Sequence, residues 1–565
     1  MIMATALTSG ELEALALQCR DAGFREGLAS AELLWQQVQV TLQDGLSALD
    51  ANITRSGTGT SSSEAQHDSG VEDEDDGLSY SFEVKKDASL DELSASSTTI
   101  HVHNTSAAME RVEQITSALR FLRNACAASP LNQDACREHQ LLKLAHDIVM
   151  RGCIWSDVED DALQQAVVLQ SQVALQFSVN AITGRIASQN AVWELYFPDD
   201  FQKLLVECHE HRKIVAFTAA LILNCVNTPC NGDMNQRRTD LVCARNLIIT
   251  LLQRCLTRPT NSYERQAPVD DHDPAFEWIC LLFRVLFESG FSKELYNAVG
   301  AHLLSRLWSR VTPEQLILLR MFTMWITSRR SKPRTPDDKQ TDTPVDLVVE
   351  DAEERFIIFE FIKNTWVYIT SLEEEDRPEE ADATRRVMWM EFENEAKLLL
   401  LDVMGELTLA PSSSQVAEEA LRSLLSELQR VWALRPLGGL AGKSPSSSQD
   451  AGKEPFGYRS AIIRVVGNMC HRQESHQNLV REEGYLPLFL NHCNIDEPNP
   501  LLREWSLVAL RNLCEGNEAN QAYITALRPQ GLDSSNVNLS NVNVEASLSD
   551  DGKVRVTQKP GPSTQ

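Results

Sequence analysis

Residues 508–521 read VALRNLCEGNEANQ, and residues 464–477, 44 positions earlier, read RVVGNMCHRQESHQ. In both, an Asn is followed two residues on by Cys and nine residues on by Gln: Asn468, Cys470 and Gln477, then Asn512, Cys514 and Gln521. The same Asn–Gln spacing recurs as Asn124/Gln133 in LRNACAASPLNQ and as Asn180/Gln189 in SVNAITGRIASQ. A degenerate copy, LILNCVN around Asn224, lacks the Gln. Self-similarity at a fixed period in a chain of helical segments predicts a solenoid, in which each unit buries its apolar face only against its neighbours.

The steps from Asn180 to Asn224 and from Asn468 to Asn512 are both 44 residues, inside the roughly 40–47 of HEAT and armadillo units. The predicted fold class is therefore all-α, an armadillo/HEAT-like α-solenoid. Residues 1–50 are expected to be N-terminal helices, two of them within 11–50. Residues 51–105 are Ser-rich and acidic, a composition that cannot offset the entropy of ordering, so a disordered insertion is expected there. Helical repeats should fill 106–435, with polar breaks near 256–274 and 328–344. Thr312-Pro313-Glu314-Gln315 supplies an N-cap, a Pro at the first helical position and a capping-box partner. A flexible linker is expected over 436–457. Its GGLAGKS is refused as a phosphate loop, because five residues before Gly442 stands Leu437 where a Gly is needed. Strong helical patterning returns over 458–531. In the tail, 532–565, Val542, Val544 and Ala546 alternate, Asp551-Gly552 offers a turn, and Val554 and Val556 alternate back, which predicts a small β-hairpin.

Bulk properties exclude several functions. The chain has 565 residues, 43% of them hydrophobic, and we find no uninterrupted apolar run of the ~18 residues that reads as a membrane span. The opening MIMATALTSGELEALALQ turns acidic at once, unlike a signal peptide. The 13 Cys include no C-x-x-C pair, which predicts reduced thiols in the cytosol or nucleus. Cys208 and His211 stand three apart, too few ligands for a metal site. No cofactor is expected. The formal charge of −28 argues against nucleic acid, whose phosphates are bound by Lys and Arg. Residues 64–92 alone carry 11 acids against 2 Lys.

Turning each Asn helix at 100° per residue places Leu119, Leu175, Ile463 and Leu507 with Cys126, Ile182, Cys470 and Cys514 in one apolar seam. The four Asn then fall nearly opposite the core. Four residues before them stand Arg120, Gln176, Arg464 and Val508. A protein-binding ladder is expected along this open face: Arg120, Asn124, Gln176, Asn180, Arg464, Asn468, Trp505 and Asn512. A second role for the Asn/Gln pairs is structural, satisfying backbone groups at helix corners. Candidate phosphosites are Ser69, in acidic context, and Ser331 and Thr335, beside Arg329, Arg330 and Arg334.

The Asn-bearing helices resemble armadillo repeats. The block from Gly457 to Gln521, with GN-C, HQ, GYLPL, NHCNID, NP, EW and RNLCE in order, resembles the C-terminal domain of the ataxin-10 family, and FLRNACAASPLNQ around Asn124 is similar to it less sharply. The resemblance implies a non-enzymatic cytoplasmic scaffold for protein–protein interactions, associated with cytokinesis, with a perinuclear, centrosomal or midbody location and with Ras–MAP kinase signalling. It also implies O-linked N-acetylglucosamine transferase or a G-protein β subunit as partners; a second copy of the chain is another candidate. A nuclear-import-type adaptor for basic peptides and a small-GTPase regulator are the alternatives. No convergent catalytic group is visible.

Overall fold

The computed structural model describes residues 5–56, 99–155, 158, 160–227, 232–256, 273–300, 309–330, 352–371, 383–408, 414–435, 454–527, 544–548 and 554–558. Ser69, Ser331, Thr335, the GGLAGKS segment and the proposed Asp551-Gly552 turn lie outside them. Among the described residues there are 23 helices and four short strands. No described helix is long and apolar enough to cross a membrane. The chain falls into two compact units, one of residues 1–254 with 260–282 and the other of 255–259 with 283–565.

In the first unit the helices Ser9–Gln18, Thr105–Ala125, Asp161–Ile182 and Arg212–Val226 pack side by side in chain order. Their starts are written locally. Thr8 and Glu11 form a capping box, Asn104 accepts from the Ala107 N–H and Asp160 from the Leu163 N–H, each satisfying an amide the helix leaves unpaired. Trp35, Phe121, Phe177, Tyr196 and Phe201 fill the core. The N-terminal segment forms three helices, Ser9–Gln18, Ala22–Leu28 and Glu32–Ala51, where two were expected. Asp21 makes the difference: its carboxylate accepts from the Phe24 N–H at 2.8 Å and starts an extra helix.

The acidic insertion also departs from expectation at its two ends. Ile53–Ser56 (β1) and Thr99–Val102 (β2) pair antiparallel, in register from Ile53 opposite Val102 to Ser56 opposite Thr99. Asn52 ties the base, accepting from the Asn104 N–H at 2.9 Å and donating to the Asn104 carbonyl at 2.7 Å. Composition over the whole stretch hid these β-branched ends.

In the second unit, Ala383–Leu407, Tyr458–Cys470 and Leu502–Cys514 form the corresponding row, backed by Pro313–Arg330, Ala352–Thr370 and Gln415–Leu434. The Thr312/Gln315 capping box is present, with bonds of 3.2 and 3.0 Å. Trp366, Tyr458 and Phe489 are buried here. The helix after the 436–457 linker packs directly on the two helices before it, so the linker leaves and re-enters one helical stack. Val544–Leu548 (β3) and Val554–Gln558 (β4) form the tail hairpin, Ala546 opposite Val556.

Candidate functional site

Each repeated Asn reaches sideways to the preceding helix of its row. Asn124 Nδ2 donates to the Ala16 carbonyl at 3.0 Å, Asn180 to Arg123 at 2.9 Å, Asn468 to Gly405 at 3.2 Å and Asn512 to Gly467 at 2.9 Å. In two of these the acceptor is the residue just before the previous Asn. Ala16 and Gly405 thereby mark two further repeat positions with no Asn to announce them. At Gly467 the close approach needs glycine, since a Cβ there would meet the Ala509 Cβ at 3.2 Å.

The Gln completes the clip in the other direction. Gln133, Gln189, Gln477 and Gln521 donate to the carbonyls of Cys126, Ile182, Cys470 and Cys514, closing the end of their own Asn helix. Gln133 also donates to the Asn180 carbonyl at 2.7 Å, and Gln477 to the Asn512 carbonyl at 2.8 Å. Four residues after each Asn the backbone turns left-handed, at Ala128, Gly184, Arg472 and Gly516, with φ of 52, 71, 54 and 74°. The degenerate Asn224 instead donates to Ala220 of its own helix, and the Val179 carbonyl it would have met accepts from the Thr183 hydroxyl.

The expected open placement of the Asn is thus corrected. Asn124, Asn180 and Asn468 are half-buried and Asn512 is buried. The helical wheel assumes a single core direction, whereas a helix inside a stack has neighbours on two flanks. The apolar seam is corrected at its end as well. Leu119, Leu175 and Ile463 are fully buried, but Leu507 is 51% exposed, because among the described residues no later helix of the row covers it.

The other ladder residues are half-buried and lie along the same rows. Arg120 and Gln176 flank the Asn in the first unit, and Arg123 Nη1 donates to Gln176 Oε1 at 2.8 Å across repeats. In the second unit Arg464 pairs with Asp402 at 2.8 Å, and Trp505 stands half-buried on the last Asn helix. The structure brings Arg120, Asn124, Gln176 and Asn180 together in one unit, and Arg464, Asn468, Trp505 and Asn512 in the other. Cys208 lies against Cys153, sulfur to sulfur 3.5 Å, in a small cavity that His211 also lines. Among the described residues no three potential metal ligands converge.

Sequence reasoning missed a polar lock in the second unit. Arg459, fully buried, donates through Nε to Glu454 and through Nη2 to the carbonyls of Val431 and Arg435. Asn499 donates to Glu454 at 2.7 Å and Asp496 at 2.8 Å, and Arg435 forks onto Asp496 at 2.9 and 2.7 Å. Tyr458 donates to Glu427 at 2.8 Å. Burial pushes the adjacent His492 imidazole down to about 4. The signal was an Arg inside the apolar run YRSAII; NHCNID and NP supply His492, Asp496 and Asn499.

Residues 458–557 match the family model described as "Spinocerebellar ataxia type 10 protein domain". Human ataxin-10 is 27% identical over 438 residues, covering 74% of this chain and 77% of that protein. The chain is similar to the ataxin-10 family over 74% of its length and matches the family's domain at 458–557. Ataxin-10 of Xenopus tropicalis is 26% identical over 423 residues, 73% of this chain and 74% of its own length. The ataxin-10 homolog of Dictyostelium discoideum is 35% identical over 104 residues, 18% of this chain and 17% of its own. The motifs that carry the resemblance, from Tyr458 to Gln521, are therefore in large part clip and lock residues.

Proposed function

We propose that the chain is a non-enzymatic protein-binding scaffold whose working surface is the row of Asn-bearing helices in each unit. The carrying observation is the repeat-to-repeat registration of that row. The clips hold equivalent helices in fixed order, so half-buried polar and aromatic side chains recur along one face: Arg120, Arg123 and Gln176 in one unit, Arg464 and Trp505 in the other. An extended peptide or partner helix laid across such a face makes many small contacts. The arginines on it weigh against the alternative of basic localisation peptides as ligands. Family resemblance supports a role in cytokinesis and signalling and a cytoplasmic location, with O-linked N-acetylglucosamine transferase or a G-protein β subunit as candidate partners.

The test is capture of partners from dividing cells with Arg464→Ala and Trp505→Ala variants whose melting temperatures match the parent. Loss of a discrete set of proteins is expected; an unchanged set sinks this surface as the working one.

A further inference from the structure

Two consecutive repeats of the first unit also meet away from the Asn–Gln clip. The helix Leu141–Trp155 follows Gln133 in one repeat, the helix Asp199–Glu207 follows Gln189 in the next, and the two touch. Cys153 lies in the last turn of the first and Cys208 caps the end of the second, with their sulfurs 3.5 Å apart. An S–S bond is ~2.0 Å long, so joining them needs a closure of only about 1.5 Å. Both residues line the small cavity described above, which leaves room for that movement. Of the same lining, Val168 and His211 are half-buried, which puts its edge at the surface.

A second close pair, Cys126 and Cys136, makes a useful contrast. Their sulfurs are 3.4 Å apart, but both residues are 0% exposed and both belong to one repeat. Burial raises the Cys136 pKa, and buried thiols of this kind are inert. Cys153 and Cys208 keep 9% and 5% of their surface. The contact between their sulfurs holds the Cys208 pKa below the ordinary thiol value, and the same contact, with burial, raises that of Cys153. The thiolate is the nucleophilic form, so one sulfur is set to react first and the other to follow.

We propose that Cys153 and Cys208 are a peroxide-sensitive thiol pair whose oxidation to a disulfide staples two consecutive repeats together. The Cys208 thiolate attacks one oxygen of hydrogen peroxide and the O–O bond breaks. The departing hydroxide takes up the proton that Cys208 had released and leaves as water, with Cys208 oxidised to a sulfenic acid. Cys153 then gives up its proton and attacks the Cys208 sulfur. The S–S bond forms, the S–O bond breaks, and the hydroxide leaves with that proton as a second water. Two thiols have lost two electrons and one peroxide has been reduced to two waters. The new bond closes a loop across 55 positions and makes covalent a registration that side-chain amides otherwise hold alone. A thiol reductant reverses it.

The experiment treats the reduced full chain with hydrogen peroxide, blocks the remaining thiols, and maps cross-linked peptides by mass spectrometry without reduction. A peptide joining Cys153 to Cys208 is expected, ahead of any joining Cys126 to Cys136, and dithiothreitol should remove it. Hydrogen exchange over Leu141–Trp155 and Asp199–Glu207 should slow in the oxidised chain. In Cys153→Ser, which lacks the second thiol, Cys208 should accumulate as a sulfenic acid that dimedone labels; in Cys208→Ser, Cys153 should stay unlabelled. The cross-link is read in the parent, so the test stands even if a Ser variant fails to fold. Absence of the Cys153–Cys208 peptide from the folded parent, or its formation at the same rate in urea, overturns the assignment. Dimedone on Cys153 in place of Cys208, or exchange unchanged by oxidation, does so as well. None of these outcomes bears on partner capture through Arg464 and Trp505.

Discussion

Gln133 and Asn180 clasp two repeats in both directions: Gln133 Nε2 donates to the Asn180 carbonyl at 2.7 Å, and Asn180 Nδ2 donates back to the Arg123 carbonyl at 2.9 Å. Gln477 and Asn512 repeat the arrangement. A solenoid has few contacts beyond nearest neighbours, so the free energy of each interface decides whether the array holds together. Side-chain amides suit the task, because each can satisfy two backbone carbonyls that a helix end would otherwise bury unpaired.

Gln477 and Gln521 should therefore differ sharply. Gln477 donates to three carbonyls, those of Cys470, Asn512 and Glu515, whereas exposed Gln521 donates, among the described residues, only to Cys514. Gln477→Ala is expected to cost about 2–3 kcal/mol, the penalty of stranding buried acceptors, and Gln521→Ala less than about 1. Urea unfolding of the full chain measures both.

Asn180→Ala and Asn224→Ala make a second matched pair. The first removes an inter-repeat bond and should cost about 1–2 kcal/mol; the second removes a bond within one helix and should cost less than about 0.5. Hydrogen exchange at the Arg123 turn should rise in the first variant only.

The left-handed corner is filled by Gly184 and Gly516 in two repeats and by Ala128 and Arg472 in the others. Nothing lies within 4 Å of a Cβ added at Gly184 or Gly516, so only backbone conformation opposes a side chain there. Gly516→Ala should lose about 1 kcal/mol and Arg472→Gly should gain up to about 1. Equal melting temperatures across the set would contradict the shared corner.

Removing buried Arg459 strands the Val431 and Arg435 carbonyls and leaves Glu454, among the described residues, only the rim arginine Arg435 and the Asn499 amide. Arg459→Ala is expected to cost about 3–5 kcal/mol, more than Arg435→Ala at the exposed rim of the same lock.

His492 sets a pH dependence. Its folded pKa, about 4, lies below the ordinary value of about 6.5, so the unfolded chain binds more protons between those limits. Stability from this group is complete above about 6.5 and is lost as pH falls toward 4. The melting temperature of His492→Gln should fall less steeply than that of the parent over this window.

The period, the all-helical class and the paired strands of the tail were legible because they live in local patterning. The Asn–Gln spacing was legible too, and so was its helix-corner chemistry. What the Asn donates to was not, because Arg123 and Asn180 stand 57 positions apart and only stacking joins them. Leu507 misled for a related reason: its neighbours in the pattern are covered by a following helix, and it is not. The lock around Arg459 stayed hidden because its members come from three separate segments.

The β1–β2 ladder has one further consequence. Ser56 and Thr99 face each other, so the described chain holds the two ends of the acidic stretch side by side, and Arg435 with Glu454, 3.3 Å apart, does the same for the ends of the 436–453 segment. Doubling the length of a flexible loop adds only about 0.6 kcal/mol to its closure. Sequence between these paired ends can grow, shrink or change composition between lineages at almost no cost to the helical array, which makes them the natural places for relatives to diverge.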